Sequence, residues 1–278
     1  MSISTYHQII KFLNQYETIA LCTIVKTLGS TPLKAGHKMI VLPNGEIYQT
    51  IGGGALEMSV IENALHCIKN NTSLLFEHHL TKDHQMCCGG TVWIFIEVLQ
   101  QSPTLLIFGA GHIGNNLAQL ATQANFNVKL IDNRKQLIEK LSSHSHQIDY
   151  IYSPQPDEYL NYFNGIISNT YCVVTTYNHQ LDRKILLGAV AYPLKYIGMI
   201  GSERKVVLTK KYLSQNSIPE SIIQKIDMPI GLNINAITPF EIAISILSKL
   251  IQIKNQQTQQ LKLSSNSINE LKNLEICQ

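Results

Sequence analysis

Residues 105–114 read Leu-Leu-Ile-Phe-Gly-Ala-Gly-His-Ile-Gly, and few backbone arrangements accommodate that string. An apolar run enters Gly-x-Gly-x-x-Gly, an amphipathic stretch follows, and a second apolar run over 127–132 ends on Asp132, with Arg134 two residues on. Strand, glycine turn, helix, strand and terminal acid together form the fingerprint of a nucleotide-binding βαβ unit. Gly109 makes the tight turn, Gly111 lets a pyrophosphate reach the backbone, and Gly114 lets helix and strand pack closely. A helix from about His112 aims free N–H groups and a positive dipole end at an anion. Asp132, at the tip of the second strand, is expected to accept hydrogen bonds from a ribose diol.

This unit begins about a hundred residues into the chain, which has room for two modest domains. The stretch before it carries a helical stripe over 4–16, a buried strand over 19–25, and a hairpin whose arms, 38–42 and 46–51, flank Pro43-Asn44-Gly45. A helix over 55–69 and strands over 73–80 and 91–99 follow. Beyond the polar boundary Gln100-Gln-Ser-Pro103, strands at 104–108, 127–132, 147–151, 171–176 and 196–200 alternate with helices, the pattern of a parallel doubly wound sheet. Thr238-Pro239-Phe240-Glu241 is a capping box opening a last long helix. The expected fold is therefore an N-terminal α+β domain with a largely antiparallel sheet (1–100), a Rossmann-like doubly wound domain (101–255) and a polar tail (256–278).

A formal charge of +3, with no basic block, argues against a nucleic-acid partner. No apolar run approaches the roughly 18 residues of a spanning helix, and Met1–His7 lacks the basic and apolar regions of a secretory signal. Cys22 and Cys172 sit in apolar strand-like runs as buried thiols, and no disulfide spacing appears. These features point to a soluble cytoplasmic protein away from membranes.

Three constellations carry potential chemistry. Gly52-Gly53-Gly54 lies between a strand and a helix, where uncovered amides cradle an anion, with Glu57 complementing the helix dipole. Gly29-Ser30-Thr31-Pro32 and Lys34-Ala-Gly36 offer hydroxyls and a cation to the same site. Cys87-Cys88-Gly89-Gly90 sets a thiol on a glycine-flanked loop, near His78, His79 and His84 in sequence; their spacing matches no zinc pattern. His179 and Arg204 follow late strands of the parallel sheet and are expected at the crevice of the Gly109–Gly114 loop.

The combination Gly29-Ser30-x-Pro32, Gly36-x-Lys38-Met39, Ile51-Gly-Gly-Gly54-x-x-Glu57, Cys88-Gly-Gly90, Gly109-Ala-Gly-His-Ile-Gly114 and Asp132-x-Arg134 resembles the xanthine dehydrogenase accessory protein family (XdhC/CoxI). Tyr196-Ile-Gly-x-Ile-Gly-Ser202, Pro229-Ile-Gly-Leu232 and Thr238-Pro239-x-Glu241 extend the resemblance over residues 10–254. Membership implies an accessory protein rather than an enzyme. It binds the molybdenum cofactor (molybdopterin), protects it during sulfuration by a cysteine desulfurase, and delivers it to an apo molybdenum hydroxylase of the xanthine dehydrogenase type. By analogy the carrier is a homodimer. The resemblance assigns cofactor contacts to Gly52, Gly53, Gly54, Glu57, Cys88, Gly109, Gly111, His112, Gly114, Asp132, Arg134 and His179, and no metal ligand. This chain departs from the family at Tyr177, where a histidine is usual, at Asn233 for an aspartate, and at Leu33 for an arginine. The competing reading is an NAD-dependent oxidoreductase, in which Asp132 selects NAD over NADP; even in a carrier, NAD or another dinucleotide remains a ligand to expect in the second domain.

Overall fold

Backbone contacts divide the chain into two units, residues 1–101 with 258–278, and residues 102–257. The computed structural model describes residues 3–81, 89–143, 147–164, 166 and 169–264.

In the first unit a five-stranded sheet runs β3-β2-β1-β5-β4, built from β1 (Thr18–Leu28), β2 (Lys38–Val41), β3 (Ile47–Tyr48), β4 (Leu74–His79) and β5 (Thr91–Gln100). All of its pairings are antiparallel. Side chains alternate across β1 because successive Cβ atoms point to opposite faces. Ala20, Cys22 and Ile24 pack with Leu56, Val60, Ala64 and Cys67 of the helix Gly54–Asn70. On the other face, Ile19 and Leu21 join Ile9 of the helix Ile3–Leu13. Two expected strands have different lengths. β1 continues to Leu28 by shifting register between Ile24 and Lys26. The arm expected over 46–51 contracts to Ile47–Tyr48, because Gln49 turns to φ 66 and leaves the extended region.

The second unit holds the parallel sheet β10-β9-β6-β7-β8, formed by β6 (Thr104–Phe108), β7 (Asn127–Asp132), β8 (Ile148–Tyr152), β9 (Thr170–Val174) and β10 (Tyr196–Met199). The strand order steps outward from β6 to β7 and β8, then reverses to β9 and β10. That reversal places a crevice at the carboxyl ends of β6 and β9, where open α/β sheets take ligands. Both faces are covered, so the strands are apolar throughout. Leu105 and Ile107 pack with Leu117, Ala121 and Ile246 on one side, while Leu106 and Phe108 meet Leu181, Ile185 and Leu213 on the other. The fold class expected from the sequence is the one observed. The last helix, Pro239–Ser264, opens on its capping box: the Glu241 carboxylate accepts from the Thr238 N–H at 2.9 Å, and the Thr238 hydroxyl accepts from the Glu241 N–H at 3.3 Å. No helix among the described residues is long and apolar enough to cross a membrane.

Candidate functional site

At the crevice of the second unit, each glycine of the Gly109–Gly114 loop meets a different demand. Gly109 has φ 112, and a Cβ there would stand 2.5 Å from the Thr175 carbonyl oxygen. A Cβ on Gly114 would overlap the Gly109 carbonyl. At Gly111 the added atom would meet nothing within 4 Å, so this is the open side of the turn. The helix His112–Gln123 starts there with no side-chain cap and no acid in its first turn. Its first N–H groups are consequently offered outward, the arrangement that binds anions. His112 is exposed at the first helical position. The Thr175 hydroxyl donates to the Phe108 and Gly109 carbonyls at 3.3 and 3.2 Å, tying β9 to the loop.

Asp132 does not offer a carboxylate to a ribose. Its Oδ1 accepts from the Arg134 N–H at 2.9 Å and Nε at 2.8 Å; its Oδ2 accepts from the Ala110 N–H and from Arg134 Nη2, both at 2.7 Å. The roughly four acceptor positions of an ionised carboxylate are thereby taken. Asp132 is also 2% exposed. The expectation of a free ribose acceptor is corrected by its neighbour two residues on, which folds back over it. Arg134 lies over the Tyr177 ring, 5.0 Å from its centroid, and Asn133 Nδ2 donates to the Tyr177 hydroxyl at 3.1 Å. Burial disfavours the charged form of Asp132, but the hydrogen bonds from Arg134 and Ala110 hold its carboxyl below the usual range.

A folded value below the unfolded one means that Asp132 adds stability fully present above its unfolded pKa of about 3.9 and lost as pH falls through the lower folded value. Melting temperatures followed from about pH 5 downward should therefore fall more steeply in the wild-type protein than in Asp132→Asn. Parallel slopes would show that the pair contributes nothing in acid.

His179 is not a strand-end residue facing the crevice. β9 stops at Val174, Asn178 caps the next helix, and His179 is the first residue of His179–Ala189. Its side chain is 69% exposed, with Nδ1 3.9 Å from Asp182 Oδ2. Arg204 is likewise exposed, and its neighbour Lys205 turns inward instead. Lys205 Nζ lies 2.7 Å from Asp182 Oδ2, while Asp182 Oδ1 accepts from the Thr176 hydroxyl at 2.5 Å and the Thr176 N–H at 3.2 Å. Asp182 is completely buried. This pair, which the sequence pattern did not single out, fixes the turn that walls the crevice. Its signal was an acid on the apolar stripe of Leu181, Ile185, Leu186 and Ala189.

In the first unit the structure brings together glycine-bearing loops far apart in sequence. A Cβ on Gly90 would overlap the Ser30 carbonyl oxygen and lie 2.6 Å from that of Leu28; one on Gly52 would stand 3.0 Å from Pro32 Cβ. Gly53 and Gly54 face open space. The Gly52–Gly54 corner is not, however, an empty anion cradle. Glu57 Oε2 accepts from the Thr50 hydroxyl and, at 3.3 Å, from the Ile51 and Gly53 N–H groups. The chain's own carboxylate thus takes the amides expected for a phosphate. Among the described residues, Glu57 Oε1 has no hydrogen-bond donor in any of these contacts, so the corner presents an acceptor. Thr50 also lines a groove of about 720 Å³ with Thr5, Gly36, His37, Lys38 and Gln49.

Cys88, with Cys87 and His84, lies outside the described residues. The buried thiols offer no nucleophile: burial pushes Cys22 up to about 12 and Cys67 to about 11, and raises Cys172 as well. Among the described residues, no group of three or more His, Cys, Asp or Glu side chains is arranged to hold a metal ion.

Comparison with known proteins agrees with both halves of this description. The family model described as the XdhC Rossmann domain matches residues 105–250, and that of the XdhC and CoxI family matches residues 12–78. YqeB of Escherichia coli K12, named as an uncharacterized protein, is 33% identical over 242 residues, covering 85% of this chain and 43% of its own length. A Bacillus subtilis protein, named as a probable xanthine dehydrogenase subunit, is 31% identical over 166 residues, covering 60% of this chain and 47% of its own. The matched part of the chain spans less than half the length of either relative. A solved structure described as a xanthine dehydrogenase from Bacillus halodurans aligns over 89% of this chain and 95% of that one, at 20% identity and a TM-score of 0.48. The glycine loop, the terminal acid and the Gly29–Pro32 and Gly52–Gly54 motifs all fall within the matched residues, and the chain belongs to the XdhC and CoxI family.

Proposed function

We propose that this protein is an accessory protein of a molybdenum hydroxylase, which holds the molybdenum cofactor during sulfuration and hands it to the apo-enzyme. The observation that carries the reading is the convergence in the first unit, where the Gly29–Pro32 loop closes on Gly52 at one end and on Gly90 at the other. The packing leaves no room for a side chain at Gly90, while Gly53 and Gly54 stay open. The residues present suit the cargo. Its pterin carries a ring edge of N–H donors, and Thr50, whose hydroxyl donates to the Glu57 carboxylate, lines a groove of about 720 Å³. The cargo, when bound, also brings a phosphate and a molybdenum atom with sulfur ligands, and soft donors suit that metal. In this reading Glu57 orients the ring edge and Thr50 fixes the carboxylate.

Family membership and the name of the Bacillus subtilis relative support a xanthine-dehydrogenase-type client; a cysteine desulfurase is the second partner that sulfuration of the cargo requires. An NAD-dependent oxidoreductase is the less favoured reading, because the carboxylate that would have read the NAD ribose is engaged by Arg134. Deleting the gene tests the role. The hydroxylase should still be made but lack active, sulfurated cofactor; full hydroxylase activity in the deletion strain, with no second copy present, would rule the role out.

A further inference from the structure

We propose that Arg134 sets the ligand class of the second unit: a nucleotide carrying a phosphate on its adenosine ribose, in preference to one with a free ribose diol. This goes beyond the cargo reading and holds whether or not the first unit carries a molybdenum cofactor.

The ribose of a nucleotide seated on the Gly109–Gly114 loop lies at the carboxyl end of β7, where a free acid reads its hydroxyls. Here that acid has no acceptor position left: Asp132 takes Arg134 Nε, Arg134 Nη2, the Arg134 N–H and the Ala110 N–H. Receiving a diol would require breaking a charge-assisted pair at 2.7 Å whose carboxylate is 2% exposed. Arg134 stands outside that carboxylate with its side chain 41% exposed. It is held on two sides, by Asp132 at one edge and by the Tyr177 ring 5.0 Å from its centre, with Asn133 Nδ2 on the Tyr177 hydroxyl. A guanidinium so fixed keeps its outer N–H donors for a planar or tetrahedral anion, the geometry in which arginine outperforms lysine. The retained carboxylate does not repel the anion, because Arg134 neutralises it in contact and lies between it and solvent.

A second anion position is built beside this one. The helix starting at His112 has no side-chain cap and no acid in its first turn, and Gly111 leaves its approach open. Asp132 links the two positions, since the Ala110 N–H of the loop donates to the same carboxylate that holds Arg134. Two neighbouring anion positions, one on backbone amides and one on a guanidinium, match a pyrophosphate with a ribose phosphate. Tyr177 supports the arginine in this reading, so the residue that departs from the family histidine has a ligand-facing purpose.

The experiment is titration of the full-length protein with NADPH and NADH, followed by the nicotinamide fluorescence. NADPH should bind at least roughly tenfold more tightly than NADH, about 1.4 kcal/mol. Arg134→Ala should lose NADPH affinity by a similar factor and gain NADH affinity, because Asp132 is released; Arg134→Lys should retain only part of the preference. Melting curves establish that each variant is folded, and 2′,5′-ADP should compete with NADPH where 5′-AMP does not. Equal or tighter NADH binding by the wild type overturns the proposal, as does the absence of binding by either nucleotide. An NADPH preference that survives Arg134→Ala overturns it as well.

Discussion

Replacing Asp182 by alanine should lower the melting temperature of the protein by roughly ten degrees, among the largest effects of any single side chain in the second unit. The carboxylate is completely buried, and it answers three groups at once: Lys205 Nζ at 2.7 Å, the Thr176 hydroxyl at 2.5 Å and the Thr176 N–H at 3.2 Å. Removing it leaves an ammonium, only 11% exposed, without its partner. Breaking a buried pair from one side costs about 3–5 kcal/mol, because the surviving charge keeps its desolvation penalty. At roughly 2–4 °C per kcal/mol for a domain of this size, the shift is readily measured by calorimetry. The double variant Asp182→Asn with Lys205→Met should recover part of the loss, since no charge is then stranded. A change of a degree or two in the single variant would mean that water, not Asp182, satisfies Lys205.

The second large effect belongs to Gly90. An alanine there would drive its Cβ into the Ser30 carbonyl, to 2.6 Å from the Leu28 carbonyl oxygen and to 2.7 Å from Thr31 Cγ2. Two of those neighbours are backbone and cannot rotate away, so the loops must separate. Overpacking of this kind costs about 1–3 kcal/mol or more. In the proposed carrier it should also reduce retained pterin by about tenfold. Gly89→Ala is the control, because its Cβ would meet Thr81 Oγ1 at 3.5 Å, an ordinary contact. If both variants retain pterin like the wild type, the convergence of these loops does not serve the cargo.

The parts of this structure legible in the sequence were those governed by local geometry. Gly109 and Gly114 each answer a steric requirement that glycine alone satisfies without cost, and the strands they connect are buried on both faces, so apolar runs revealed them. The Thr238–Glu241 capping box is equally local, and its reciprocal hydrogen bonds appear as expected. Illegible were the partnerships that folding creates. The acid at the tip of β7 could be named, but whether its acceptor positions were free depended on how Arg134 folded back. Asp182 and Lys205 come from different helices, so no spacing rule connects them. Glu57 was placed in the first helical turn, yet only the folded loop shows its carboxylate filling the amide corner meant for an anion. Tyr177 appeared as a missing imidazole, whereas the structure gives its ring to Arg134. The short β3 depended on one backbone angle at Gln49 that alternation of side chains cannot encode.

The central claim is that this chain carries a molybdenum cofactor, and its most direct test is the content of the protein itself. The full-length protein, expressed with abundant cofactor and purified without oxygen, should release molybdopterin that fluoresces after oxidation, in near-stoichiometric amount and accompanied by molybdenum. Glu57→Gln, which keeps an acceptor for the loop N–H groups, should release markedly less while melting near the wild-type temperature. Wild-type protein that is folded, anaerobic and free of pterin would contradict the account.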